Sequence, residues 1–303
     1  MIISASRRTD IPAYYSDWFF NRVKEGFVLT RNPMNFRQVR RVEFSSDTVN
    51  GIVFWTKNPA PMFSRIEELQ DFMYYFQYTV TPYGKDIEPN VLRKDTNTLD
   101  TFKKLSEIVG PDRVIWRYDP ILINVKYTAE YHLQAFEKIA KKLCDYTHKV
   151  IISFIDTDYK AVKSNTDKLQ LAEFPTETKT QLVSNFASIA RSCGLTVYAC
   201  AQKLNLQEFG VGRARCIDNE LFEKLHGHGL NIKKDKNQRS ECGCAASVDI
   251  GMYNTCLNGC LYCYANYIPK AIVTNQNKHN PYSAFIIDDS KIPNILTDEI
   301  QTL

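Results

Sequence analysis

Cys256, Cys260 and Cys263 stand in the run Cys-Leu-Asn-Gly-Cys-Leu-Tyr-Cys, a C-x3-C-x2-C spacing. Three thiolates so spaced can wrap a 4Fe–4S cube and ligate three of its irons, leaving the fourth without a protein ligand. An open coordination position is what metal catalysis needs, whereas structural sites are filled. Cys200, Cys216, Cys242 and Cys244 precede the motif, so seven of the nine cysteines lie between positions 200 and 263. These four can complete a second iron–sulfur cluster, bind zinc, or stay unligated; Cys242-Gly-Cys244 is tighter than the usual C-x2-C zinc knuckle. Cys144 and Cys193 fall in helical stretches and read as ordinary buried thiols.

The elements that must position these groups alternate. Strands are expected at 2–6, 51–57, 72–81, 114–119, 150–156, 196–201 and 248–253, several apolar on both faces (GIVFW, VIISF), as in a covered parallel sheet. Amphipathic helices are expected at 18–25, 62–70, 98–109, 129–143, 179–192 and 219–226, with an extra hairpin at 27–44. Seven such units predict an α/β fold of the TIM-like βα-barrel kind, partial or near-complete, as one domain over 1–303 with a cysteine-rich region at 200–268. No G-x-G-x-x-G follows a strand, which argues against a dinucleotide fold.

Polar residues then gather at the C-terminal ends of the strands, where such barrels place their sites. Arg7, Arg8, Thr9 and Asp10 follow the first, Thr56, Lys57 and Asn58 the second, Thr81 and Tyr83 the third. Arg117, Tyr118 and Asp119 end the fourth, Asp156 the fifth and Gln202 the sixth. Arg8, Asp10, Lys57, Arg117 and Asp119 are the candidate catalytic residues, and Tyr262, Asn58 and Ser153 the candidate cofactor contacts. Arg7, Arg8, Lys57 and Arg117 together predict a cationic mouth suited to carboxylate or phosphate. Asp10 and Asn58 equally suit helix N-caps. Trp55 and Trp116 are placed near the rim, and His226 and His228 read as a helix end rather than a metal pair.

The bulk composition is that of an ordinary globular chain: 303 residues, 44% hydrophobic, 24% charged, net charge +4. No apolar run reaches the roughly 20 residues that span a bilayer, and MIISASRRTD lacks a secretion signal's apolar core, so a cytoplasmic, membrane-free protein is expected. In that compartment the cysteines point to metal rather than to disulfides.

The cysteine motif, including the aromatic Tyr262 before its last cysteine, resembles that of the radical S-adenosylmethionine (radical SAM) superfamily. That resemblance implies a cluster whose open iron is chelated by S-adenosylmethionine, with Tyr262 near the adenine. It also implies reductive cleavage to a 5′-deoxyadenosyl radical that abstracts hydrogen from a substrate. An electron donor such as flavodoxin or ferredoxin would be needed, and the substrate would be a small anion or nucleic acid. IISASRRTDIP, FWTKNP, RYDPI, KDKNQR and CGCAASVDIGMYNTCLNGCLYCYAN further resemble an uncharacterised bacterial and archaeal domain-of-unknown-function family with this motif at its C-terminus. TKNP and RYDPI are more faintly similar to spore-photoproduct-lyase-like enzymes, which act on nucleic acid.

Radical SAM enzymes usually carry the motif after their first strand, whereas here it follows the last. A circular permutation accounts for this, with 248–253 playing first strand and 2–6 second. The superfamily's Gly-Gly-Glu is replaced by Ser-Arg-Arg-Thr-Asp. The competing readings are a zinc-binding cysteine-rich module that docks nucleic acid or protein, and a fully ligated iron–sulfur electron carrier or sensor.

Overall fold

The computed structural model describes residues 1–92 and 97–288, and the backbone of 300–302. The chain opens with β1 (Ile2–Ala5), α1 (Ile11–Tyr14) and α2 (Ser16–Glu25), and then forms a hairpin of β2 (Phe27–Asn32) and β3 (Asn35–Glu43). Next come β4 (Gly51–Thr56), a 3₁₀ helix (Ala60–Leu69), β5 (Tyr74–Thr79), α3 (Leu99–Val109), β6 (Val114–Ile121), α4 (Ala129–Leu143) and β7 (Lys149–Phe154). After α5 (Lys160–Lys163) and α6 (Thr166–Leu169) follow α7 (Thr176–Ser192), β8 (Thr196–Ala199), β9 (Gly212–Arg213) and α8 (Asn219–His226). β10 (Val248–Asp249), α9 (Pro269–Lys278) and β11 (Ile300–Thr302) complete the described elements.

Eight strands form one parallel sheet in the order β10-β1-β4-β5-β6-β7-β8-β9. The fold is therefore α/β, as the strand–helix alternation predicted. β10 lies beside β1, pairing Ile3 with Val248 and Ser4 with Asp249, so the last expected strand neighbours the first. β9 and β10 are the edges, and among the described residues no pairing joins them. The expected hairpin pairs Phe27 with Glu43, and β11 adds to it in parallel.

Apolar residues on both sides of each strand feed two cores. Ile3, Phe54, Phe76, Trp116, Val150 and Ile152 face one way, under the helices. α4 and α7 meet there through Phe136 and Phe186, stacked at 4.1 Å between centroids. α4 is closed at its start by Thr128, whose hydroxyl accepts from Tyr131 N at 3.1 Å. Ile2, Val53, Tyr75, Ile115 and Ile151 face the other way, where Ala214, Cys216, Ile217, Phe222, Cys242, Cys244 and Ala245 cover them. The cysteine-rich stretch thus lines one whole face of the sheet. Gly51 permits this: a Cβ there would lie 2.1 Å from the Phe222 ring of α8.

Several expectations change in detail. Residues 62–70 lie in the 3₁₀ helix, which begins after Pro59 and carries Pro61 in its first turn. β6 runs on through Pro120 to Ile121. β10 stops at Asp249 instead of reaching Tyr253, because the Asp249 carboxylate draws Gly251 N into a turn at 3.0 Å and Asn254 adopts φ 57°. Cys144 and Cys193 are half-buried residues at helix ends, not core thiols. No helix among the described residues is long and apolar enough to cross a membrane.

Candidate metal centre and its rim

Asp249 ends β10 and clasps the end of β1. Its carboxylate accepts from Ser4 Oγ at 2.7 Å, Ser6 Oγ at 2.5 Å and Arg7 N at 2.9 Å, and it faces the Arg7 guanidinium at 3.9 Å. The chain then enters the loop bearing Cys256, Cys260 and Cys263. Buried Asn254 closes that loop on itself, accepting from Tyr267 N at 2.8 Å and Ile268 N at 2.9 Å while its own N–H donates to Ala265 O at 2.9 Å.

Other bonds fasten the loop to strand ends far away in sequence. Asn258 Nδ2 donates to Asp10 Oδ2 at 3.1 Å and its Oδ1 accepts from Tyr14 OH at 2.9 Å. Asn90 Nδ2 donates to Leu257 O at 2.8 Å, Leu261 N to Ile87 O at 3.0 Å, and Asn165 Nδ2 to Leu261 O at 2.8 Å. The three motif cysteines, half-buried, are therefore held over the C-terminal ends of the strands.

Burial pushes all three thiols up, Cys260 to about 12. Hydrogen-bond donors oppose it at two of the sulfurs: Asn258 at Cys256, its Nδ2 3.5 Å from Sγ, and the backbone N–H groups of Ala265 and Asn266 at Cys263. Lys57 adds its charge near Cys260 and Cys263. Donors of this kind stabilise a thiolate and orient a metal ligand. Among the described residues no three His, Cys, Asp or Glu side chains converge as the ligands of a single ion would. Two buried polar atoms beside the loop and β1, Thr9 Oγ1 and Asn266 Oδ1, have no hydrogen-bond partner. Such atoms fit a bound polar group. A cleft of about 550 Å³ also opens beside Cys256, lined by Tyr14, Asn90, Leu257, Ile272 and Val273 among others.

The rim differs from the expected cationic mouth because its cations are paired. Lys57 Nζ lies 2.9 Å from Glu88, whose buried carboxylate also accepts from Thr81 Oγ1 at 2.7 Å and from the Tyr262 hydroxyl. Burial disfavours the Lys57 charge, but Glu88 together with Cys260 and Asp10 outweighs it and the lysine is held above its ordinary value. Arg117 pairs with Asp119, which also accepts from Ser153 Oγ. Arg7 faces Asp249, and Arg239 faces Asp156 at 2.6 Å. Arg8 instead donates to Gly251 O at 3.4 Å and lies over the Tyr253 ring, 5.2 Å from its centroid.

The remaining sequence candidates fall into place around these pairs. Asp10 is an N-cap: it accepts from Ala13 N at 3.1 Å, Lys57 N at 2.8 Å and Asn258, so its lone pairs tie three loops together. Burial raises it and those bonds lower it. Asn58 accepts from Ala60 N at 3.2 Å in a turn just before the 3₁₀ helix, whose N-cap is Pro59 and not the Asn58 that the sequence suggested. Trp116, expected near the rim, is fully buried under the helices and donates to Val80 O at 3.0 Å; Trp55 is half-buried. His226 donates to Asn50 O at 2.7 Å, at the start of β4 and not at the mouth.

Cys200, Cys216, Cys242 and Cys244 gather on the face of the sheet opposite α4 and α7, with Cys200 Sγ 3.3 Å from Cys216 Sγ and Arg117 Nη1 3.0 Å from the latter. Glu88, Asp249, Asn254 and Asn258 were missed by sequence reasoning. Asp249 had a signal, a carboxylate inside an apolar strand; Glu88 had none, sitting in an ordinary polar loop.

No curated protein matches the chain significantly. A family model described as "Domain of unknown function (DUF1848)" matches residues 2–265, nearly the whole chain, and the protein belongs to that family.

Proposed function

We propose that the chain is a radical SAM enzyme built on a partial βα barrel, circularly permuted so that β10 serves as first strand and β1 as second. The observation that carries this reading is the C-x3-C-x2-C loop itself, stapled over the strand ends by Asn258, Asn90 and Asn165, with Asn258 Nδ2 also donating to Cys256 Sγ at 3.5 Å. α4 and α7 cover one face of the sheet, and the cysteine-rich stretch, with the short α8 inside it, covers the other.

Cys256, Cys260 and Cys263 would hold a 4Fe–4S cluster, and Asn258, Ala265 and Asn266 would stabilise their thiolates. Bound there and reduced, the cluster supplies one electron to cleave S-adenosylmethionine into methionine and a 5′-deoxyadenosyl radical, which abstracts hydrogen from the substrate. Tyr262 is held in place by Glu88, next to Lys57, and Thr9 and Asn266 offer free polar atoms to the bound cofactor. A flavodoxin or ferredoxin would deliver the electron. With Arg7, Lys57 and Arg117 each facing a carboxylate, the rim no longer indicates an anionic substrate.

The test is anaerobic reconstitution with iron and sulfide, then S-adenosylmethionine and dithionite. Release of 5′-deoxyadenosine that Cys260→Ala abolishes is expected. Stoichiometric zinc without cleavage would instead favour a cysteine-rich binding module.

A further inference from the structure

We propose that Cys200, Cys216, Cys242 and Cys244 bind a second iron–sulfur cluster, ligated at all four positions and seated on the face of the sheet opposite α4 and α7. The four sulfurs come from three separate segments: the residue after β8, the stretch after β9, and the Cys242-Gly-Cys244 turn. Cys200 Sγ lies 3.3 Å from Cys216 Sγ, and the N–H of Ile217, the residue after Cys216, donates to Cys244 Sγ at 3.5 Å. Cys216, Cys242 and Cys244 are 6%, 8% and 2% exposed.

The surroundings are built to hold them. Tyr75 OH and Gln77 Nε2 donate to Cys216 O at 2.8 and 2.9 Å, Ala245 N donates to Ile217 O at 2.9 Å, and Cys242 N to Arg239 O at 3.0 Å.

Buried cysteines often serve merely as small apolar side chains. That role does not explain why polar donors are aimed at these sulfurs. Arg117, 6% exposed, points Nη1 at Cys216 Sγ from 3.0 Å, and Ile217 N points at Cys244 Sγ from 3.5 Å. Asp119 takes the Nε and Nη2 of Arg117, which leaves Nη1 to Gln77 Oε1 and Cys216 Sγ, and a neutral thiol is a weak acceptor for it. Thiolates make that arrangement sensible. Four thiols release four protons when they ligate a cluster, and Arg117 offsets part of the charge that results.

Soft thiolates select zinc or iron–sulfur centres. A tetrahedral zinc site with Zn–S near 2.3 Å needs all its sulfurs about 3.8 Å apart around one point. Cys200 Sγ and Cys216 Sγ lie 3.3 Å apart, a contact that opens when either centre binds, and the single residue between Cys242 and Cys244 is tighter than the C-x2–4-C spacing of zinc sites, which favours the cluster. Its position under Arg117, whose partner Asp119 lies near the end of β6 and accepts from Ser153 of β7, puts this centre toward the same end of the sheet as the motif loop.

The experiment uses the full chain carrying Cys256→Ala, Cys260→Ala and Cys263→Ala, so that its outcome does not depend on the proposed first cluster. After anaerobic reconstitution this variant should retain about four irons and four sulfides per chain, the content of one cube. Adding Cys242→Ala and Cys244→Ala should remove them. The reciprocal variant, with only Cys242 and Cys244 replaced, should halve the iron of the wild-type chain, which covers the case in which the first variant fails to fold. A folded triple variant that takes up no iron, or that binds one zinc and stays colourless, would overturn the proposal. So would unchanged iron in the reciprocal variant. If the wild-type chain binds four irons and the triple variant keeps all four, this site stands and the motif reading fails.

Discussion

Replacing Glu88 by Gln removes the counter-charge of Lys57 without changing the side chain's shape. Glu88 is completely buried and the Lys57 side chain is 11% exposed, with 2.9 Å between them. At an effective dielectric constant near 20, unit charges at that distance attract by about 6 kcal/mol, before desolvation is counted. Removing one partner of a buried pair typically costs about 3–5 kcal/mol, because the other charge is left uncompensated. Asp10 and Cys260 also act on Lys57, so the lower end, about 3 kcal/mol, is expected. The same substitution weakens the acceptor for the Tyr262 and Thr81 hydroxyls. Urea denaturation followed by circular dichroism measures the loss, and the paired replacement Lys57→Met with Glu88→Leu should recover much of it, as apolar substitutes for buried ion pairs do. Glu88→Gln within ~0.5 kcal/mol of wild type, or a double variant no better than the single one, would refute the reasoning.

Three further outcomes follow from named contacts. His132 is buried and held near pKa 4 by desolvation, its Nε2–H donating to Leu122 O at 2.9 Å and its Nδ1 accepting from Tyr118 OH at 2.7 Å. Its folded value lies below the unfolded 6.5, so the unfolded chain binds the proton first. Stability is full above pH 6.5 and falls by about 3 kcal/mol on the way to pH 4. His132→Gln should flatten that part of a pH–stability curve, and an unchanged slope would assign it elsewhere. Gly51→Ala drives a methyl into the Phe222 ring and should destabilise by about 2 kcal/mol or more, read as a lower melting temperature; a wild-type value would mean that α8 yields freely. Arg117→Gln should make the proposed second cluster harder to reduce, since the cation facing Cys216 is lost, while iron content holds; an unmoved potential in a redox titration would contradict that role.

Much of the fold was legible because its signals are local. The ends of α4 at 129 and 143 and of α8 at 219 and 226 follow from Thr128 and Asp218 caps and from Gly227. Apolar runs such as GIVFW identify strands covered on both faces. α9 escaped notice because none of its residues is buried, so it carries no apolar stripe to find. The motif cysteines were legible for the same local reason, as three ligands lie within eight residues. The groups that hold them are not local: Tyr262 to Glu88 spans 174 residues and Asp249 to Ser6 spans 243. Pairing of that kind is decided by which strands become neighbours, and a single sequence does not display it. The cationic rim was misjudged on the same account, since each carboxylate that neutralises it comes from a different loop or strand, apart from the Arg117–Asp119 pair.

The central claim is most directly tested by one assay on the anaerobically reconstituted chain: 5′-deoxyadenosine formed from S-adenosylmethionine under dithionite, in wild type and in Cys260→Ala. The account predicts release by the wild type and none by the variant. A wild-type chain that binds a full complement of iron yet leaves S-adenosylmethionine intact would contradict it.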